Sequence, residues 1–161
     1  MPEPFIDSPA ADLSVRRLTR LDRQLLLDLE FYGRQSLGEA ALDQWLLPVA
    51  AAFGFLFVGC VNRVFVGSAQ IFSCAEAGDL YLDGFFIREE QRRRGFGGAL
   101  LGAVKRLLPP RERLLVTVDP MNAAAVALYR SAGFQEVDFL PEFYGSGQDR
   151  LLLAIRLDGT G

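Results

Sequence analysis

The chain has 161 residues, 50% hydrophobic and 23% charged, a composition that suits a folded protein able to bury a core without staples. A formal charge of −3 argues against a broad nucleic-acid-binding surface, and no run approaches the roughly 20 apolar residues of a membrane span. Histidine is absent, which excludes Ser-His-Asp and Cys-His catalysis, removes the commonest zinc ligand and leaves no metal site to expect.

Residues 1–12, rich in Pro, Asp and Ala, read as a flexible tail ahead of a single domain over 13–161. The tail has neither the basic nor the apolar region of a secretory signal, so the expected compartment is the cytoplasm. "SVRRL" (14–18) predicts a first strand. In 22–33, Leu25, Leu26, Leu29 and Tyr32 fall at helical spacing with Gly33 as the expected stop. A second helix is predicted over 38–54, disturbed at Pro48. "FLFVGCV" and "VFVGSAQIFSC" have the β-branched and aromatic content of a hairpin, and a two-residue turn at Asn62-Arg63 places Cys60 opposite Phe65. Cys74 then lies far down the other arm, so both cysteines are expected as free thiols.

"DLYLDGFFI" (79–87) predicts another strand. Leu100, Leu101, Val104, Leu107 and Leu108 recur at helical spacing until Pro109-Pro110, and "RLLVTV" (113–118) follows as a strand. "NAAAVALYRSAGF" (122–134) predicts a short helix with Asn122 as N-cap and Gly133 just past its end. "FQEVDFL" and "RLLLAIRL" close the chain as strands. The expected fold class is α/β (α+β): one mixed, mostly antiparallel central sheet of about seven strands flanked by about four helices.

Between strand 79–87 and the following helix lies "QRRRGFGG" (91–98). A Gly-rich turn into a helix start makes an anion site, because the first helical N–H groups lack partners and the dipole adds partial positive charge. Gly95, Gly97 and Gly98 let the backbone approach a ligand, and Arg92, Arg93 and Arg94 add charge. The alternative is a solvated basic loop whose glycines only permit a tight turn. A Walker A loop fails at Ala99, and a dinucleotide fingerprint fails at Leu100, where its third glycine belongs.

The sequence resembles the GNAT superfamily of acyl-CoA-dependent N-acyltransferases. Its phosphate-loop pattern, Gln/Arg-x-x-Gly-x-Gly/Ala, is met by Arg92-Arg93-Arg94-Gly95-Phe96-Gly97, and its second signature by Asn122, Ala125, Leu128, Tyr129, Gly133 and Phe134. One helix and one strand separate the two, as in the family. Glu89 replaces a common proline, and Arg93 stands where glycine is frequent.

The resemblance implies an acetyl-CoA-dependent N-acetyltransferase of a primary amine, a small polyamine-like amine or a peptide or lysine amine, acting by direct attack in a ternary complex. The amides from Arg93 through Phe96 and Gly97 to Gly98 would hold the pyrophosphate of acetyl-CoA. Phe85, Phe86 and Ile87 would bond the pantetheine arm like an added strand, and Asn122 would hold it from the far side, a role compatible with a plain N-cap. Tyr129 stands where the family protonates the leaving thiolate, although its helical spacing also fits a core aromatic. Asp83 matches a carboxylate of polyamine acetyltransferases, able to attract an ammonium ion and accept its proton through water, or else a simple edge-strand charge. Thr117 takes the place of the glutamate base of bacterial ribosomal-protein N-terminal acetyltransferases, which argues against a protein N-terminus as acceptor, although "FYGSGQD" (143–149) resembles their closing segment and sets Tyr144 at the acceptor site. A non-catalytic acyl-CoA-binding regulatory module of the same fold is the alternative. No nucleic acid or membrane partner is expected, and a homodimer is left open.

Overall fold

The structure, a computed structural model, describes residues 5–8, 12–75, 78–110 and 113–157. These gather into two compact units, one built from Met1–Phe72 with Asp83–Leu107, the other from Ser73–Leu82 with Leu108–Gly161.

In the first unit the strands β1 (Phe5–Ser8), β2 (Leu13–Leu18), β3 (Phe55–Val61), β4 (Val64–Ser73) and the later part of β5 (Asp79–Ile87) follow one another in spatial order. The pairs β1–β2, β2–β3 and β3–β4 are antiparallel. β1 corrects the expectation of a wholly flexible tail: Phe5 to Ser8 pair with Arg16 to Leu13, and the rest of residues 1–11 lies outside the described part. The hairpin turn is as expected. Asn62 and Arg63 both take positive φ, 49° and 66°, the conformation whose twist suits a two-residue connection, and Cys60 faces Phe65. Neither Cys60 nor Cys74 is in a disulfide among the described residues.

Helix α1 (Arg23–Leu37) starts on Asp22, whose carboxylate accepts the Leu25 N–H at 2.8 Å. It runs through Gly33 and ends at Gly38, with φ 60°. Gly33 is no stop. It is buried inside the helix, and a Cβ there would make ordinary contacts, 3.5 Å from that of Ala41 and 3.7 Å from the Phe86 ring. The expected helix over 38–54 is instead a 3-10 turn (Gly38–Ala40), a turn held by Asp43, and a short α2 (Leu47–Phe53). Pro48 lies in the first turn of α2, where no intrahelical N–H is needed, so it starts the helix rather than disturbing it.

Leu18, Leu29, Leu47, Leu56, Val58, Phe65 and Phe86 pack into one cluster under α1 and α2. Each such side chain fully removed from water contributes about 1.5–3 kcal/mol. Helix α3 (Phe96–Leu107) packs on β2, with Leu100 and Leu13 meeting over Gly59, and stops before the two prolines. At Gly67 a Cβ would lie 2.5 Å from the Phe86 carbonyl oxygen and 2.7 Å from Ile87 Cδ1. Gly67→Ala is therefore expected to destabilise the protein by about 1–3 kcal/mol, the usual cost of overpacking. A urea midpoint equal to wild type would show that β4 and β5 have room to spare there.

In the second unit the beginning of β5, β6 (Arg113–Val118), β8 (Arg150–Arg156) and β7 (Gln135–Leu140) lie in that order, with α4 (Ala123–Ser131) between β6 and β7 in the chain. β5 and β6 are parallel from Asp79↔Arg113 to Tyr81↔Leu115; β6–β8 and β7–β8 are antiparallel. A parallel pair needs a long crossover, and the segment carrying α3 is that connection. Arg113 Nε donates to Asp79 at 2.8 Å, fixing the register where the two strands begin. The sheet pairing is thus mixed and mostly antiparallel, with four α-helices and, through β1, eight strands among the described residues. No helix of the described residues is long and apolar enough to cross a membrane.

Candidate active site

The arginine–glycine loop is braced from within. Arg88 donates to the Phe65 carbonyl at 2.9 Å, lies 3.9 Å above the Tyr32 ring and pairs with Glu90. Arg92, although exposed, folds back onto the chain, its Nε donating to the Ile87 carbonyl at 3.0 Å and its Nη2 to the Ser36 hydroxyl at 3.3 Å. Arg94 donates to the Gln91 side chain at 3.1 Å. Two positive φ angles, 60° at Arg93 and 81° at Gly95, turn the chain into α3. Arg93 holds a conformation that glycine takes without cost and that costs other residues about 1–2 kcal/mol.

The first helical bond of α3 runs from the Ala99 N–H to the Gly95 carbonyl at 3.1 Å. The N–H groups of Phe96, Gly97 and Gly98 precede it and have no intrahelical acceptor. Phe96 is buried and anchors the helix start. A Cβ added at Gly95 or Gly98 would meet no heavy atom within 4 Å. Donors without an intrahelical acceptor, an adjacent open face and the exposed side chains of Arg93 and Arg94 suit an anion.

Further back along β5, the ladder with β6 ends at Tyr81. Asp83 and Phe85 share one face of β5, while Phe86 turns its ring into the core beside Phe65 and so offers only its backbone. Asp83 reaches solvent, yet the protein around it strips enough water to raise its carboxyl above the usual range. Burial of this kind disfavours the charged form. Because the folded-state pKa is raised, the penalty is absent below the unfolded value of about 3.9 and grows as pH rises from there through the folded value. Asp83→Asn is thus expected to raise Tm near pH 7 and to leave it unchanged near pH 3. Equal shifts at both pH values would show that charge is not the cause.

In the second unit, Asn122 caps α4, accepting the Ala125 N–H at 3.1 Å, and Gly133 follows the helix with φ 95°. Tyr129 is 6% exposed, its ring 5.4 Å from that of Phe134 in an edge-to-face contact. Burial, and after it the neighbouring Tyr81 phenol, pushes the Tyr129 hydroxyl above a phenol's ordinary range, so it stays protonated at every working pH. The Tyr81 hydroxyl in turn shares a 2.7 Å hydrogen bond with the Thr117 hydroxyl. Tyr81 has no part in the motifs, and its pairing across β5 and β6 is nowhere visible in local sequence. Tyr144 is exposed, stacked edge-on against Phe143 at 4.7 Å with the Arg150 guanidinium 5.0 Å from its ring. Burial pushes the Cys60 thiol up, with Arg16 opposing, which makes it a poor nucleophile at neutral pH.

Residues 20–134 match the Acetyltransferase (GNAT) family, a span that contains the loop, Asn122 and Tyr129 and draws on both units. The chain belongs to that family. An N-alpha-acetyltransferase of Sulfurisphaera tokodaii is 35% identical over 74 residues, 44% of this chain and 44% of that protein. Among solved structures, the ribosomal-protein-S18-alanine N-acetyltransferase of Escherichia coli has a TM-score of 0.73 at 19% identity, covering 92% of this chain and 96% of its own. Naa50 of Arabidopsis thaliana, in complex with the bisubstrate analogue CoA-Ac-MVNAL, has a TM-score of 0.71 at 17% identity, covering 89% and 97%. At these identities the structures establish the GNAT fold. Within that fold, this GNAT chain has Arg93 in the left-handed position of the loop and threonine, not a carboxylate, at 117.

Proposed function

We propose that the protein transfers the acetyl group of acetyl-CoA to a primary amine by direct attack, and that the preferred acceptor is the α-amino group of a peptide. The observation that carries the reading is the start of α3. Its N–H groups at 96–98 and the open faces of Gly95 and Gly98 fit a pyrophosphate, with Arg93 and Arg94 beside it and Arg92 bracing the loop. The edge of β5 at Phe85 to Ile87 suits the amide-bearing pantetheine arm, which would add to it as a strand does. Acetyl-CoA supplies the activated acyl group; the chain binds it, orients the amine and manages protons.

A shortage of bases supports this acceptor: the chain has no histidine, and by its resemblance to the bacterial enzymes Thr117 stands at the place of their glutamate. An α-amine, with a pKa of about 7.7–8.0, loses its proton at a cost about 3.5 kcal/mol below that of a lysine amine at about 10.4. An enzyme without a strong base is suited to the cheaper acceptor. The name of the Sulfurisphaera relative supports the same class. Asp83 favours a second reading, a small polycation held by the carboxylate.

Thiol release from acetyl-CoA distinguishes them, with a free-amine peptide, its N-terminally blocked lysine-containing counterpart and spermidine as acceptors. The free-amine peptide is expected to be fastest. Faster turnover of spermidine would transfer the assignment to the second reading, and no release with any amine would overturn acetyl transfer itself.

A further inference from the structure

We infer that the turn end of the β3–β4 hairpin holds a second ligand site, a pocket for a small organic carboxylate whose anionic head pairs with Arg63 and whose apolar body lies against Cys60. A cavity of about 270 Å³ is lined there by Ser14, Arg16, Cys60 and Arg63. None of the four belongs to the arginine–glycine loop, to β5 or to α4. The floor is tied down: the Ser14 hydroxyl donates to the Cys60 carbonyl at 3.1 Å, beside the ladder that pairs β2 with β3. The wall is mostly apolar, made by a thiol and by arginine stems that carry charge only at their tips. An apolar cavity with a few placed polar groups suits an organic ligand. A bare inorganic ion would leave that wall uncovered.

Two departures from a regular hairpin border the cavity. The ladder slips by one residue between Gly59, which faces Gly67, and Cys60, which faces Phe65, so Val66 has no opposite number. Bulges of this kind re-aim the side chains next to them. Arg63 takes φ 66° at the second turn position, where glycine is preferred. A charged side chain is thus kept where the backbone opposes it. Arg63 is exposed and has no hydrogen bond or ion pair among the described residues, which leaves its planar fork of donors for a carboxylate. Arg16 adds positive charge beside Cys60, where it acts on the thiol against the effect of burial.

The test uses benzoate as the probe and Cys60 as the reporter. A ligand of about nine heavy atoms reaches a Kd of about 1 mM at ordinary efficiency. At about ten times that concentration, alkylation of Cys60 by the neutral reagent iodoacetamide is expected to slow about tenfold, because the occupied thiol is covered. Ionic strength is matched with sodium chloride, and peptide mass spectrometry follows Cys60 and Cys74 separately. Cys74, outside the cavity, should react at an unchanged rate. Arg63→Gly removes the guanidinium and relieves the left-handed turn, so it should lose the protection without any fall in Tm. Protection equal with neutral benzamide would overturn the anionic head, and protection equal with inorganic phosphate would overturn the organic body. Slowing of Cys74 as well, full protection in Arg63→Gly, or no protection of Cys60 by benzoate would each overturn the site.

Discussion

Tyr129→Phe is expected to lower kcat by about 10²–10⁴-fold, the contribution typical of a positioned acid, while acetyl-CoA affinity stays near wild type. The phenol is 6% exposed and held protonated by burial and by the nearby Tyr81, so it is a donor throughout the neutral range. Removing one oxygen keeps the ring and its 5.4 Å edge contact with Phe134, so packing is largely preserved. A donor used mainly in the transition state affects rate more than ground-state binding. If Tyr129 is only a core aromatic, the pattern reverses: kcat within a factor of about two of wild type and any cost in Tm, the burial of an unneeded hydroxyl being the only thing changed. Melting temperature, acetyl-CoA affinity and kcat on this one variant separate the two.

Much of the architecture was legible because it is local. Asn62-Arg63 is short enough to dictate the pairing of Cys60 with Phe65, and the Asn122 cap with Gly133 eleven residues on bounds α4 by elementary backbone chemistry. Two helix readings failed where tertiary packing overrides a local signal. Gly33 continues α1 as a buried helical position packed beside Ala41 and Phe86, and Pro48 opens α2 because the chain arrives there from the Asp43 turn. β1 was hidden for a similar reason: four residues amid Pro, Asp and Ala become a strand only through the edge of β2. The motifs pointed to the loop and to Tyr129, but they could not say which arginines fold back onto the chain. That Arg92 reaches back to Ser36, 56 residues away, is a fact of the folded chain alone, as is the bond between Tyr81 and Thr117.

Gly98→Glu is expected to weaken acetyl-CoA at least about tenfold, or about 1.4 kcal/mol, in a protein that is no less stable than wild type. Gly98 lies in the first turn of α3, has no strained φ, and faces open space where a Cβ would meet nothing within 4 Å. A side chain is therefore tolerated sterically, and a carboxylate at a helix N-terminus stabilises the helix by about 0.3–1 kcal/mol. The same charge stands where a pyrophosphate would bind, and two like charges about 4 Å apart repel by about 4 kcal/mol at an effective dielectric of 20, less after solvent screening. Stability and binding should thus change in opposite directions, which misfolding cannot imitate. Gly98→Gln, nearly equal in size and uncharged, should lose much less affinity, and added salt should narrow the gap between the two variants because screening acts only on the charge. Unchanged acetyl-CoA affinity in a folded Gly98→Glu protein would remove the pyrophosphate from the start of α3, and with it the observation on which the acetyl-transfer reading stands.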